Sequence, residues 1–157
     1  MIRPTPKSAT NPDVLRRVYV DVSVWIALLT NEPSSPLLQR WLEQETGELV
    51  TSRWSVVEVA SALSIKVRRG ELSPQQAQDL YERFDALVLG EVSLVPLATA
   101  DYDQAALLCR NAASSLRAGD ALHLAVALRA RSSHLNTLDK VMALNAEKLG
   151  IELLQNV

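Results

Sequence analysis

Four acidic side chains, Asp21, Glu58, Asp120 and Asp139, stand at positions where together they would hold a hard divalent cation. Mg²⁺ and Mn²⁺ prefer oxygen ligands and keep several waters, so a few carboxylates leave room for a phosphate and an attacking water. Such an ion acidifies water and offsets charge on the phosphorus under attack, and a second ion would steady the leaving oxygen. Asp21 and Asp120 are the expected direct ligands, Asp139 a ligand directly or through water, and Glu58 a ligand or the base that positions water. Ser23 and Thr137 each lie two residues from an Asp and are the hydroxyls expected to orient a carboxylate or the water.

The surrounding sequence positions these residues. Val18-Tyr19-Val20 is β-branched and aromatic, and Ser23 to Leu29 is apolar and helix-compatible, so Asp21 falls at a strand-to-helix turn. His134 to Leu138 leads into Asp139, and Lys140 to Leu149 reads as a helix stopped by Gly150. In open parallel α/β sheets, ligands bind beyond the carboxyl ends of the strands, so two strands that end in Asp deliver both carboxylates to one crevice. Glu58 sits in the amphipathic helix Ser52 to Leu63 among apolar neighbours, where a lone carboxylate is costly unless paired or metal-bound. Asp120 follows Gly119 and precedes Ala121 to Leu128, a helix start where it would cap the backbone and meet a favourable dipole. Taken singly, Asp120 has a capping role open to it and Glu58 an Arg partner; taken jointly, the four acids point to chemistry.

Ser35-Pro36 and Ser73-Pro74 place a cap and a first-turn proline before helical runs, and Gly47 and Gly70 stop the preceding ones. Val92 to Leu97 and Ile151 to Leu154 read as strands. The order is strand, helix, helix three times over, then strand, helix, strand, with no sequence repeat. Such alternation predicts a three-layer α/β domain.

Four segments carry a family resemblance: Tyr19-Val20-Asp21-Val22-Ser23-Val24-Trp25-Ile26-Ala27-Leu28, the Glu58 helix, Gly119-Asp120-Ala121-Leu122-His123-Leu124-Ala125, and Asn136-Thr137-Leu138-Asp139. In that order they resemble the four signature blocks of PIN-domain ribonucleases, from Val18 to the C-terminus, and the compact length resembles the VapC toxins of type II toxin–antitoxin pairs. The resemblance implies an α/β/α fold with a central parallel sheet, Mg²⁺ or Mn²⁺ held by the four acids, endoribonuclease activity on RNA, a small antitoxin partner and a homodimer. A stand-alone RNA-processing nuclease and a non-catalytic module on the same fold are the alternatives. A phosphatase of the haloacid-dehalogenase type would need a second Asp at position 23, where Ser stands. A receiver domain would use Thr137 and Lys140 but leave Glu58 unexplained.

The chain has 157 residues, 48% hydrophobic and 22% charged, which suits one compact domain. Its formal charge is −2, without the global basic signature of nonspecific nucleic-acid binders. A cluster of acids lowers that sum while a bound cation reverses the local sign, so the total says little about the site. Local basic groups stand at Lys66, Arg68 and Arg69, at Arg110 and Arg117, and at Arg129 and Arg131. Residues 1–17 carry Pro4, Pro6 and Pro12 without apolar periodicity and read as a flexible or surface-lying tail; the domain is expected over 18–157. With one cysteine, no leader and no long apolar span, a cytoplasmic protein without a membrane segment is expected.

Several residues invite a function that a plainer role fits better. His123 lies three positions after Asp120 on the same helix face, but apolar residues surround it, so a satisfied core or supporting histidine is expected rather than a ligand. His134 is expected to be exposed. Trp25, Trp41 and Trp54 are assigned to core or dimer packing rather than base stacking, and Cys109 to a buried apolar position without chemistry. Apolar helices from Pro36 to Leu42 and from Ser73 to Leu89 are the expected two-fold interface.

Overall fold

Side chains of the first strand, β1 (Arg17–Val20), alternate between two apolar layers: Val18 and Val20 enter one, Tyr19 the other. A strand buried on both faces belongs in the middle of a sheet that is covered on both sides. The computed structural model, which describes residues 16–154, has that arrangement. After β1 come α1 (Val22–Leu29), α2 (Ser35–Gln44), β2 (Glu48–Ser52), α3 (Arg53–Arg68), α4 (Pro74–Glu91) and β3 (Val92–Val95). There follow α5 (Thr99–Arg110), a 3₁₀ turn at Ala112–Ser114, α6 (Ala118–Arg129), β4 (His134–Asn136), α7 (Lys140–Lys148) and β5 (Glu152–Leu153). All pairings are parallel and the sheet order is β3-β2-β1-β4-β5. This is an α/β/α domain with a central parallel sheet.

The chain builds one half of the sheet outward from β1 through β2 to β3, then returns to β1's other side with β4. The switch point therefore lies between β1 and β4, where the crevice opens at the carboxyl ends of the strands. Val18, Val20, Trp25, Leu38, Leu63 and Phe84 join α1 to α4 on one face. Tyr19, Val50, Leu124, Leu135 and Met142 join α6 and α7 to the other, and α5 packs on α6 through Ala105, Ala121 and Ala125. Among the described residues no helix is long and apolar enough to cross a membrane.

Several local expectations are corrected. The tail expected over residues 1–17 falls outside the described residues up to position 15; Arg16 pairs with Glu45 and Arg17 already opens β1. The cap of α2 is Ser34, not Ser35, because the Ser35 hydroxyl is taken by the carbonyls of Ala27 and Thr30. Cys109 is exposed, since α5 buries only its α6-facing side. His134 is half-buried, with Nε2 3.3 Å from Glu152. The tryptophans pack as expected, Trp25 fully buried and Trp41 and Trp54 partly buried against core clusters. Helix α4 turns Ala77, Phe84 and Val88 into the core and leaves Leu89 exposed.

At the start of α4 the Ser73 hydroxyl accepts from the Gln76 N–H while the Gln76 side chain accepts from the Ser73 N–H. Ser73→Ala breaks this reciprocal cap, and we expect a loss of about 1 kcal/mol in urea unfolding.

Candidate active site

Asp21 leaves the end of β1 and caps α1, with its backbone N–H donating to Asn136 O at the end of β4 over 3.0 Å. Its carboxylate is 2% exposed and asymmetrically satisfied. Oδ2 accepts from Ser23 Oγ at 2.6 Å, Ser23 N at 3.3 Å and Thr137 Oγ1 at 3.0 Å. Oδ1 is buried and has no hydrogen-bond partner among the described residues. Two further bonds hold the hydroxyls: Leu138 N donates to Ser23 Oγ at 2.9 Å and Asp139 N to Thr137 Oγ1 at 3.0 Å. The loop after β4 is thereby stitched to the loop after β1, and Asp139 caps α7 through Met142 N at 2.7 Å.

Glu58 projects from the second turn of α3 and is partly exposed. Its Oε2 is hydrogen-bonded to His123 Nε2, and that nitrogen lies 3.7 Å from the bare Oδ1 of Asp21. The other ring nitrogen, Nδ1, is 2.8 Å from the Tyr19 hydroxyl. Burial pushes the Tyr19 phenol well above its ordinary range, against the opposing pull of Ser52, so the phenol keeps its proton. With the phenol donating to Nδ1, Nε2 is the ring nitrogen left to donate to the Glu58 carboxylate. His123 is thus the supporting histidine that its apolar helix suggested. Tyr19 was not singled out; the available signal was a hydroxyl-bearing aromatic at a doubly buried strand position, which must find a partner.

Asp120 is the third residue of α6, not its cap, which is Arg117. It therefore lies in the first turn of the helix and does not close it. Burial raises its pKa most, followed by the charges of Asp139 and Asp21; His123 opposes and Glu58 adds to the rise. All four acids thus share one electrostatic neighbourhood, although they come from four separate elements. Gly119 sets how closely α6 approaches α3: a Cβ there would lie 3.0 Å from Glu58 Oε1 and 3.5 Å from Trp54 Nε1. Among the described residues no three His, Cys, Asp or Glu side chains are placed so that together they could hold a metal ion, so the four acids are electrostatic neighbours and not an assembled ligand set.

The PIN domain family model matches residues 18–148. The chain belongs to the PIN domain family. No curated protein matches it. Among solved structures, this PIN domain is similar to FitAcB from Neisseria gonorrhoeae, with TM-score 0.69 and 16% identity over 88% of this chain and 97% of that one. It is also similar to VapC20 of Mycobacterium tuberculosis, described as a sarcin-ricin-loop-cleaving toxin, with TM-score 0.66 and 19% identity over 82% and 94% of the two chains. The VapBC2 of Rickettsia felis, solved with a fragment of promoter DNA, gives TM-score 0.61 and 12% identity over 88% and 97%.

Two predictions follow from the charge and hydrogen bonding of this PIN-domain crevice. A carboxyl whose pKa is raised on folding binds its proton more tightly in the native state, so stability falls as pH rises above the unfolded value through the raised one. Asp120→Asn should therefore raise the thermal midpoint at pH 7 in chelator, with the gain shrinking as pH falls below that window. Tyr19→Phe leaves the buried Nδ1 of His123 without its donor and should cost about 1–3 kcal/mol in urea unfolding.

Proposed function

We propose that this PIN domain is a divalent-metal-dependent endoribonuclease and the toxin of a toxin–antitoxin pair. The observation that carries the reading is the half-satisfied Asp21: one oxygen is saturated, while the other is buried without a hydrogen-bond partner, 3.7 Å from His123 Nε2, and its charge is among those that raise the Asp120 pKa. An orphaned buried carboxylate oxygen beside like charges fits a cation, and an all-oxygen donor set fits Mg²⁺ or Mn²⁺. Such an ion retains water and needs only a few carboxylates. Asp21 and Asp120 would hold it directly, with Asp139 and Glu58 completing the set directly or through water. When bound, the ion supplies Lewis acidity toward water and the phosphodiester and positive charge against the charge building on the phosphoryl oxygens.

The chain's own groups prepare that chemistry. Ser23 and Thr137 hold the Asp21 carboxylate so that Oδ1 faces the crevice. His123, fixed by Tyr19, orients Glu58 with one oxygen engaged and the other free to take a proton from water. RNA as substrate is supported by the toxin description of VapC20, and a small antitoxin by the toxin–antitoxin complexes among the similar structures. Inhibition by that partner would place an Arg against the acids, because a planar guanidinium binds carboxylates bidentately. A homodimer and a cytoplasmic setting belong to the same proposal.

The test is cleavage of a single-stranded RNA by purified protein with Mn²⁺, with Mg²⁺ and with chelator. Asp21→Ala and Asp120→Asn should each lower metal-dependent cleavage by at least about a hundredfold while the variants remain folded by circular dichroism. Cleavage by Asp120→Asn at the wild-type rate would overturn the assignment.

A further inference from the structure

Trp54 stands about one helical turn before Glu58 on α3, so the two side chains share a face of that helix. Helical side chains lean toward the N-terminus, which tips the Glu58 carboxylate back over the turn that carries the indole. The indole nitrogen of Trp54 is buried and has no hydrogen-bond partner among the described residues. By contrast, Trp25 Nε1 donates to Val20 O and Thr51 Oγ1, and Trp41 Nε1 donates to Glu45 Oε2. An indole N–H can only donate, and a buried donor without an acceptor is costly, so the position of Trp54 calls for a reason. On the facing helix, the space a Cβ at Gly119 would fill lies 3.5 Å from that nitrogen and 3.0 Å from Glu58 Oε1. The unpaired donor and the carboxylate oxygen that His123 does not hold therefore border the same small gap, which Gly119 keeps open.

We propose that Trp54 is a positioning residue for Glu58: its indole N–H is a second station for the carboxylate, taken up through Oε1 when Oε2 leaves His123 for a divalent ion. The inference rests on the metal-dependent reading above and adds the group that fixes Glu58 in the working site. His123 Nε2, which holds Oε2, also lies 3.7 Å from Asp21 Oδ1, the unpartnered oxygen to which the cation is assigned. A cation there competes with the imidazole for Glu58, because both attract the same carboxylate from the same side. A partly exposed Glu released from its only donor would spread over several rotamers. A bond from Trp54 removes that freedom, and a bond from N–H to a carboxylate is of the stronger, charge-assisted kind. Each carboxylate oxygen carries more than one lone pair, so Oε1 can accept from the indole and still take a proton from water.

The experiment follows the indole N–H signals of the full chain by nuclear magnetic resonance, with isotope-labelled tryptophan, as Mg²⁺ alone is added. Trp54→Phe identifies the Trp54 signal by its loss. At saturating Mg²⁺ that proton should move downfield and exchange more slowly with water, while the Trp25 and Trp41 signals stay in place. In Glu58→Ala the response of Trp54 should vanish, since the acceptor is gone. Trp54→Phe should weaken Mg²⁺ binding about tenfold, the scale expected for losing a group that orients a metal ligand. Combined with Glu58→Ala it should weaken binding no further than Glu58→Ala alone, whereas a merely structural Trp54 would give additive losses. An indole signal that ignores Mg²⁺ while the backbone amides of Ser23 and Asp139 respond would overturn the inference and leave the metal reading intact. So would an unchanged response in Glu58→Ala, or additive losses in the double variant. If Mg²⁺ moves none of these signals, the metal reading falls and the role of Trp54 falls with it.

Discussion

The buried carboxylate of Asp21 is held in place by Ser23 and Thr137, which concentrate their hydrogen bonds on one of its oxygens. A 2% exposed carboxylate in an apolar fold is costly unless its oxygens find hydrogen-bond donors. By loading Oδ2, the two hydroxyls leave Oδ1 as a bare site of negative charge. The same hydroxyls accept the N–H groups of Leu138 and Asp139, so the loops after β1 and β4 become one unit. The position of Asp139 therefore depends on the satisfaction of Asp21, which explains why the switch point between the two strands is held so firmly by polar contacts instead of apolar packing.

On the opposite wall the constraint is distance between helices. Glu58 and Asp120 approach because position 119 has no side chain, and His123 then bridges from α6 to Glu58 beneath them. Tyr19 ties this bridge to the strand that carries Asp21. One continuous path of hydrogen-bonded polar groups thus runs from β1 through α6 to the partly exposed Glu58 on α3. Each member satisfies a neighbour, which is the condition under which buried polar groups can be tolerated.

Much of this was legible in the sequence, for physical reasons that differ by element. The order of strands and helices follows from apolar period and punctuation, and a strand with apolar residues on both faces forecasts a covered parallel sheet. Ser73 and Asp21 act locally, so their caps can be read locally. What the sequence concealed is long-range or rotational. Tyr19 and His123 are separated by 104 positions, and nothing in either neighbourhood names the other. The Asp120 error came from reading a favoured capping residue as the cap, whereas α6 starts two residues earlier at Ala118. Cys109 looked buried because its neighbours are apolar, but α5 packs on one side only, so an apolar residue turned away from α6 stays in solvent.

The acid row is also a cost built into the native state. Asp120 is held with a raised pKa by burial and by neighbouring carboxylates, so the fold without a counter-ion stores repulsion at the place where a ligand would act. Any cation that fits relieves that repulsion, and binding to the native state alone stabilises it by mass action. On the proposed reading, a divalent ion and a partner's guanidinium draw on the same electrostatic deficit and compete for the same oxygens. A guanidinium spans two oxygens with fixed directional bonds, whereas a hydrated ion can share its ligands with water. Its affinity would come mainly from apolar contact outside the crevice, because a buried ion pair repays little beyond its own desolvation. Inhibition of this kind needs no rearrangement of the acids: the repulsion that prepares the crevice for a metal also makes it receptive to an arginine.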